Sequence, residues 1–286
     1  MFSNSNSYIE KEIVDKIKNT LDNLGIMYRV FSRIKITGSL EKKLKNNSDY
    51  GKTKKLQDYI GIRIVLYFND DIEVVRSIVS SLYEESSKDT SIDEFSKEEF
   101  KAVRYNIIYK LNESLNIDPS HREKIDDTFE LQIRTIFSEG WHEVEHDLRY
   151  KCKNDWISYD YESRLLNGVY ASLETNEWTM LQIFDNLSHK HYKNKEWTAM
   201  IKQKFRLRFQ EEELDSEIIK LINNEDLAKK IFRLDRVEVI KKMHEKSFVY
   251  PLTLNNFFYF TNLLEINNNN VKEITPNEMI KWFNSQ

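Results

Sequence analysis

The run LQDYIGIRIVLYF at residues 56–68 restricts the fold of this chain more than any other feature of its sequence. Its β-branched and aromatic residues follow one another almost without interruption, which is typical of a strand buried in a sheet. A second strand is predicted at residues 26–36, IMYRVFSRIKI, where apolar residues alternate with polar or basic ones. The N-terminal part of the chain therefore contains a sheet.

Helical patterns surround these strands. Apolar residues recur at helical spacing from Ile9 to Leu24, behind a capping box of Ser7 and Glu10 and before Gly25, and they predict a first helix. Further along the chain, the residue patterns predict a short basic helix at 39–46, an amphipathic helix at 72–83, strands at 105–111 and 128–134, and a helix beginning near residue 136. The fold class is therefore α/β (α+β), a mixed sheet of about five strands flanked by helices.

Strand patterns nearly disappear after residue 157, and apolar residues then recur at spacings of three and four. This change predicts two domains, residues 1–157 and a helical C-terminal region at residues 158–286. Within the second, the aromatic and basic run KQKFRLRF at residues 202–209 fits either a helix face in the core or an RNA-binding surface.

Composition limits the classes of partner. The formal net charge of −4 gives no general attraction to nucleic acid or to anionic membranes. No apolar run approaches the roughly 20 residues that span a bilayer, and the start MFSNSNSYIEKE lacks the pattern of a signal peptide. Cys152 is the single cysteine, so no disulfide can form within the chain. We expect a cytoplasmic protein that does not enter a membrane. The sequence leaves open whether the chain forms a homo-oligomer.

A basic segment stands out against this acidic balance. Residues 33–55 contain eight Lys or Arg and two acidic residues. Such a segment is often only a solvated surface. Arg33 and Lys35, however, are two apart near a strand end and so point to one face, and Lys43 follows shortly after them. This arrangement suits the binding of a polyphosphate.

Two carboxylates lie within predicted strands, Asp58 in the first run and Glu130 in FELQIRT. An ionised carboxylate there is costly unless it is paired, hydrogen-bonded or bound to a metal. In the second strand, Glu130, Gln132 and Arg134 share one face. Salt bridges from Asp58 to Arg63 and from Glu130 to Arg134 would satisfy both carboxylates, whereas two carboxylates near basic residues also suit Mg²⁺.

Three ordered segments, RIKITGSLEKKL, LQDYIGIRIV and FELQIRTIFSEGWHEVEHDLRYK, resemble the synthetase domain of the RelA/SpoT family, which makes ppGpp and pppGpp. The likeness runs from about residue 7 to residue 157. It implies a nucleotidyltransferase-like sheet and a small single-function synthetase. Such an enzyme is a GTP pyrophosphokinase, which transfers pyrophosphate from ATP to the 3′-hydroxyl of GDP or GTP and releases AMP.

The resemblance also implies roles for individual residues. The residues that would bind ATP are Arg33, Lys35, Ser39, Lys43 and Arg63. Asp58 and Glu130 would be catalytic and hold Mg²⁺, and Glu130 would activate the acceptor's hydroxyl. The acceptor pocket would include Gln132, Arg134 and, from the segment WHEVEHDLRYK, His146.

The chain departs from the family before the fourth strand. Family members carry a Gly-Tyr pair there, whose tyrosine stacks on guanine, but this chain reads FKAVRYNIIYKL. Arg104, Tyr105 and Asn106 are the candidates to bind the acceptor instead, although alternation along a strand also explains them. The acceptor therefore stays open between GDP, GTP, an adenine nucleotide and, as in toxin-like relatives, the 3′ end of a tRNA.

A catalytically degenerate nucleotide sensor is the non-enzymatic alternative, but a sensor would not need the full set of cations and carboxylates. A hydrolase of the histidine–aspartate type is excluded, because it needs ligands upstream and none of the six histidines precedes residue 121. The leading expectation is an ATP:nucleotide 3′-pyrophosphotransferase. Its cofactor would be Mg²⁺, and its partners would be ATP and GDP or GTP.

Overall fold

The structure, a computed structural model, describes residues 6–35, 54–88, 90–92, 105–112, 115, 117, 123–210, 213–224 and 226–285. The chain divides into two compact units. The first contains the residues up to 18 together with 28–177, and the second contains 19–27 together with the residues from 178 onward. The first unit therefore extends beyond the predicted boundary at residue 157. The predicted basic helix at 39–46 lies outside the described residues.

The strands of the described part form one five-stranded sheet in the first unit. In chain order they are Tyr28–Ile34 (β1), Ile60–Leu66 (β2), Ser91–Ile92 (β3), Tyr105–Lys110 (β4) and Thr128–Thr135 (β5). The spatial order is β1-β2-β5-β4-β3, and β2 runs parallel to β5 whereas the other neighbours are antiparallel. The predicted mixed sheet is confirmed, although no sequence pattern indicates the two-residue β3.

Alternation along β2 and β5 gives the sheet two different faces. The aliphatic positions on one face are fully buried, namely Ile62, Ile64, Leu131 and Ile133. Each such side chain stabilises the fold by roughly 1.5–3 kcal/mol relative to an exposed one. The positions between them in β5 are polar and only half-buried. One face is therefore core and the other is available for chemistry.

The helix Ile72–Leu82 (α2) packs against the apolar face. Its Ser80 hydroxyl lies 2.9 Å from the hydroxyl of Tyr109 on β4. The Tyr109 ring in turn stacks on Phe129 of β5, with ring centroids 5.5 Å apart. The amphipathic pattern predicted at 72–83 thus forms one layer of the core.

The first helix, Ser7–Asn23 (α1), matches its predicted range. Its buried stripe follows the spacing of four residues, with Ile9, Ile13 and Ile17. Gly25 follows the helix in the left-handed region, with φ of 67°. A Cβ atom there would lie 2.2 Å from Leu252 and 3.2 Å from the backbone nitrogen of Arg208, so only glycine fits this turn.

The helix Ile136–Glu145 (α3) begins directly at the end of β5. Thr135 is both the last residue of the strand and the N-cap of the helix, and it forms a capping box with Ser138. The helix continues as a π-helical turn over His146–Tyr150, and a 3₁₀ turn follows at Lys153–Trp156. No loop therefore separates the strand from the helix.

The long helix Asp160–Asn194 (α4) begins in the first unit and packs against α3 there. The Trp141 and Tyr170 rings are 4.9 Å apart, and Trp141 Nε1 donates a hydrogen bond to the Leu166 carbonyl at 2.9 Å. This contact explains why the first compact unit continues past residue 157.

The second unit is helical, as the sequence predicts. Its helices are Trp197–Phe205 (α5), Ser216–Asn224 (α6), Leu227–Arg233 (α7), Arg236–Glu245 (α8), Leu254–Thr261 (α9), Asn269–Ile274 (α10) and Asn277–Ser285 (α11). Phe205 is fully buried and packs on Phe257, with ring centroids 4.6 Å apart, which fits the core interpretation of the run at 202–209. No described helix has the length and apolar character needed to cross a membrane.

Glu177 is a buried carboxylate at the contact between α4 and the start of α3. It is 7% exposed and accepts a hydrogen bond from the Thr135 hydroxyl, the capping group of α3. Burial raises the pKa of Glu177 from its ordinary 4.5 to about 7, and nearby Glu174 adds to the increase, whereas the Thr135 hydrogen bond opposes it. This carboxyl group therefore titrates near neutral pH.

Between pH 4.5 and about 7, Glu177 should be protonated in the folded protein and ionised in the unfolded chain. The resulting stability is complete below pH 4.5 and is lost as the pH rises through 7. We predict that Glu177→Gln raises the melting temperature at pH 8 and changes it little at pH 5, because one pKa unit corresponds to about 1.4 kcal/mol. Thermal unfolding at the two pH values, with the exposed Glu162→Gln as control, checks this. Equal pH dependence in wild type and Glu177→Gln would contradict it.

Candidate active site

The polar positions of three strands meet on one face of the sheet. The residues of this face that line one pocket include Phe31, Arg33, Gly61, Arg63, Glu130 and Gln132. The register aligns Gly61 with Arg33 on one side and with Glu130 on the other. A Cβ atom on Gly61 would lie 3.7 Å from the Arg33 side chain. The glycine therefore keeps the floor of the pocket free of a side chain.

Lys35 and Asp58 form an ion pair, and the charges of both act on Glu130, which lines this pocket. The pair is also held by the backbone, because the Lys35 N–H donates to the Tyr59 carbonyl at 3.0 Å. Both side chains are largely buried, 17% and 26% exposed. The ion-pair partner of Asp58 is thus the predicted phosphate-binding Lys35, and not Arg63 as the salt-bridge alternative proposed.

Glu130 lies close enough to Asp58 for the two carboxylates to repel each other. Burial raises the pKa of Glu130, and the charge of Asp58 raises it further, whereas Lys35, a hydrogen bond from Gln132 and the charge of Arg33 lower it. Gln132 Nε2 donates to Glu130 Oε2 at 3.2 Å. A divalent cation between Asp58 and Glu130 would relieve the repulsion. Hard carboxylate oxygens are the donors that Mg²⁺ prefers, so the two residues fit this ion.

A second charged cluster lies beside the pocket, where α3 meets the sheet. Arg63 Nη1 contacts Glu139 Oε1 at 2.7 Å, and Arg134 Nη1 contacts Glu139 Oε2 at 2.8 Å. Arg63 Nε also donates to Gln132 Oε1 at 3.0 Å. Arg134 thus pairs with Glu139 rather than with Glu130, its partner in the salt-bridge alternative.

Two of the predicted acceptor residues lie on β4 and point to opposite faces of the sheet. Asn106 aligns with Gln132 and so belongs to the polar face. Tyr105 aligns with the buried Ile133 and belongs to the opposite face. Burial raises the pKa of the Tyr105 phenol, and the charge of Glu73 on α2 and a hydrogen bond to that residue raise it further. Tyr105 therefore packs toward α2, and its position argues against stacking on a ligand in the pocket.

Of the remaining predicted residues, only His146 lies in the described part of the chain, and it does not line the pocket. His146 is 52% exposed, bonds to Asp147 at 2.9 Å and stacks on Tyr150 within the π-helical turn. Ser39, Lys43 and Arg104 lie outside the described residues. Their predicted roles stay predictions.

The site also contains residues that the sequence analysis does not predict, among them Phe31 and Glu139. Phe31 is 54% exposed on the polar face, directly across from Arg63. Glu139 joins the two arginines from α3. The sequence contains one signal for Glu139, which lies one helical turn after a capping threonine at the end of a strand. Periodicity within a single strand or helix does not reveal such a position.

The sheet is mixed, with one face covered by a helix and one charged face that carries arginines, a lysine and two neighbouring carboxylates. Such an arrangement defines a class of α+β domain that can hold an anionic ligand. Residues 32–155 match the family model described as "Region found in RelA / SpoT proteins". This range contains the β1–β2–β5 pocket from Ser32 onward and all of α3. This segment of the chain is therefore similar to the RelA/SpoT region.

Several bacterial proteins are similar to the chain. GTP pyrophosphokinase YjbM of Bacillus subtilis (strain 168) is 25% identical over 180 residues, which is 58% of this chain and 82% of the relative. The small alarmone synthetase 1 structure from Bacillus subtilis is 22% identical, with a TM-score of 0.40 and coverage of 61% of this chain and 91% of that one. The smu.1046c structure from Streptococcus mutans UA159 is 20% identical, with a TM-score of 0.44 and coverage of 64% and 91%.

We predict that Lys35→Met destabilises the first unit more at pH 8 than at pH 5. Loss of the Lys35 charge leaves Asp58 and Glu130 facing each other, so the pKa of Glu130 rises further and the folded state is weakened as the pH rises. The loss at pH 8 should fall between the about 1 kcal/mol of an exposed ion pair and the about 3 kcal/mol of a buried one. Denaturant unfolding at both pH values measures it.

The double variant Lys35→Met with Asp58→Asn is the matched control, because it removes the repulsion together with the lysine. Its stability at pH 8 should recover most of the loss. A double variant as unstable as the single one would contradict the electrostatic coupling of these residues.

Proposed function

We propose that this protein transfers the pyrophosphate group of ATP to the 3′-hydroxyl of GDP or GTP, forming (p)ppGpp and AMP. The observation that carries the proposal is the pair of neighbouring carboxylates, Asp58 and Glu130, beside Arg33 and Lys35 within a RelA/SpoT region. The similar Bacillus subtilis protein is named a GTP pyrophosphokinase, and one similar structure is described as bound to its product pppGpp.

The donor nucleotide would occupy the pocket between β1, β2 and β5. Arg33 and Lys35 supply positive charge for the phosphates, and Arg63 supplies a guanidinium on the neighbouring strand. Ser39 and Lys43 complete the predicted ATP set. Charge-assisted hydrogen bonds to phosphate are about twice as strong as neutral ones, so a few such cations suffice to hold ATP.

Asp58 and Glu130 would hold Mg²⁺, the proposed cofactor. When bound, the ion supplies neutralisation of the charge on the donor's phosphates. Among the described residues no cluster of three or more metal-binding side chains occurs. Two carboxylates are enough in this class of site, because Mg²⁺ takes its remaining ligands from substrate phosphates and water.

Glu130 is the proposed general base. Its carboxylate lines the pocket together with Arg33 and Gln132, where it would accept a proton from the acceptor's hydroxyl. As Glu130 takes the proton of the 3′-hydroxyl, the oxygen bonds to the β-phosphorus of ATP. The bond from that phosphorus to the oxygen bridging the α-phosphate breaks, and AMP leaves with the electron pair. Phosphoryl-type transfer relies on such positioning and charge stabilisation more than on covalent help.

Selection of the acceptor is proposed to rest on the polar face of β4 and β5. Asn106 and Gln132 are neighbours there, and amide groups can make directional hydrogen bonds to a base or sugar. Arg134 adds positive charge beside them, and Arg104 and His146 stay candidates of the acceptor set. The single cysteine, which leaves no disulfide to form within the chain, supports a cytoplasmic site of action.

The test of the proposed function is an acceptor survey. The purified protein is incubated with Mg²⁺, ATP labelled on the γ-phosphate and, separately, GDP, GTP, ATP or tRNA. Label in GDP or GTP together with release of AMP is the expected result. Label in tRNA or in an adenine nucleotide would show that the acceptor differs from GDP and GTP, although the pyrophosphate transfer itself would stand. No transfer to any acceptor would indicate a nucleotide sensor.

Asp58→Asn and Glu130→Gln should each lower turnover by about a hundredfold or more while leaving the melting temperature within a few degrees of wild type. Each substitution keeps the shape of the side chain but removes the charge that would hold Mg²⁺. Turnover and thermal unfolding are measured on the same preparations. Near-normal turnover in either variant at saturating Mg²⁺ would rule out the metal assignment.

Asn106→Ala should raise the half-saturation concentration of the acceptor by about tenfold, since loss of a directional hydrogen bond to a bound ligand costs about 1–1.5 kcal/mol. Tyr105→Phe is the matched comparison, because it changes the adjacent position of the same strand on the opposite face. Its acceptor kinetics should equal those of wild type. The reverse ranking of the two variants would place the acceptor on the α2 side of the sheet.

A further inference from the structure

We propose that Glu139 is a positioning residue, which fixes the guanidinium groups of Arg63 and Arg134 so that the pocket is formed before ATP binds. The inference rests on the proposed function, because it names a further residue of the same site. Glu139 belongs to α3 rather than to the sheet, and neither the strand alternation nor the ion-pair alternatives in the sequence point to it.

The geometry uses both oxygens of one carboxylate. Oε1 of Glu139 lies 2.7 Å from Arg63 Nη1, and Oε2 lies 2.8 Å from Arg134 Nη1. The carboxylate is 18% exposed, and the arginines are 21% and 14% exposed. A largely buried carboxylate shared by two guanidiniums is worth more than a surface pair, because water screens it less.

The two arginines need such a partner. Arg63 and Arg134 lie on adjacent parallel strands, where Arg63 aligns with Gln132 and Arg134 with Val65. Burial lowers the pKa of Arg134, and the like charge of Arg63 lowers it further, whereas Glu139 and Glu143 raise it. Without an anion between them, the side chains would separate toward solvent. With Glu139 in place, Arg63 is held at the pocket, where Gln132 also fixes its Nε atom at 3.0 Å.

Glu143, one turn further along α3, offers an internal comparison. It also contacts Arg63, but its distance to Arg134 is 3.6 Å and its side chain is 54% exposed. A half-exposed carboxylate loses side-chain entropy on ordering and is screened by water, so its contribution is smaller. Glu139 therefore carries most of the positioning, and Glu143 assists.

The variants Glu139→Gln and Glu143→Gln test this division of roles, with Glu84→Gln as control. Glu84 forms an ion pair with Lys110 on the surface of the same unit and is 71% exposed. The affinity for a non-hydrolysable ATP analogue is measured by calorimetry without acceptor, and KM and kcat are measured with GTP. Glu139→Gln should weaken analogue binding and raise the KM for ATP by about tenfold, with kcat reduced less than about threefold.

Glu143→Gln should weaken binding by about threefold or less, and Glu84→Gln should match wild type. The effect of Glu139→Gln, as a ratio to wild type, should shrink in high salt because the repulsion between the arginines is then screened. The double variant Glu139→Gln with Arg134→Gln should bind the analogue better than Glu139→Gln alone, because the like charge is gone. If Glu139 only stabilised the fold, the effect of Glu139→Gln on analogue binding would not shrink in high salt, and the double variant would not bind the analogue better than the single one. If Glu139→Gln does not fold, Glu139→Asp decides, with an expected weakening of about threefold.

Analogue binding within twofold of wild type for the folded Glu139 variant, or a double variant no better than the single one, would overturn the positioning role. A wild-type protein that binds the analogue but transfers nothing to GDP or GTP contradicts the proposed acceptor and leaves the Glu139 measurement intact. A wild-type protein that binds no ATP analogue overturns both proposals.

Discussion

The parallel pairing of β2 with β5 is the constraint on which both the core and the pocket of the first unit depend. Side chains alternate along a strand with a period of two, so a slip by one residue would turn Glu130 and Gln132 into the core and Leu131 onto the charged face. Burial of polar groups without partners costs several kcal/mol, which prevents this slip. Packing on the apolar face therefore sets the geometry of the polar face.

The charges of the polar face form two balanced groups. In one group, Lys35 pairs with Asp58, and the charge of Arg33 acts on the neighbouring Glu130. In the other group, Arg63 and Arg134 contact the carboxylates of Glu139 and Glu143. A ligand that brings a divalent cation together with its anionic chain adds less net charge to such a balanced face than the anionic chain alone. This property is compatible with the proposed binding of ATP with Mg²⁺.

Pattern and physical chemistry predict the strands and helices of the first unit well, because each buried element repeats its period clearly. The same alternation correctly separates Asn106 from Tyr105 by face, although it cannot say which face carries the ligand. Partners across elements are harder to predict. Glu139 reaches Arg63 over 76 residues of sequence, and no local pattern encodes such a contact. The short β3 is equally invisible, since two residues contain no periodicity.

The direct passage from β5 into α3 through Thr135 has a consequence for how this chain tolerates change in length. An α-helix advances about 100° for each residue, so one residue inserted at this junction would rotate all of α3 by that angle relative to the sheet. Glu139 would then swing away from the two arginines, and Trp141 would leave its place against Tyr170. Loops in homologous proteins commonly vary in length. This junction has no such freedom, and its spacing is as much a part of the site as the side chains themselves.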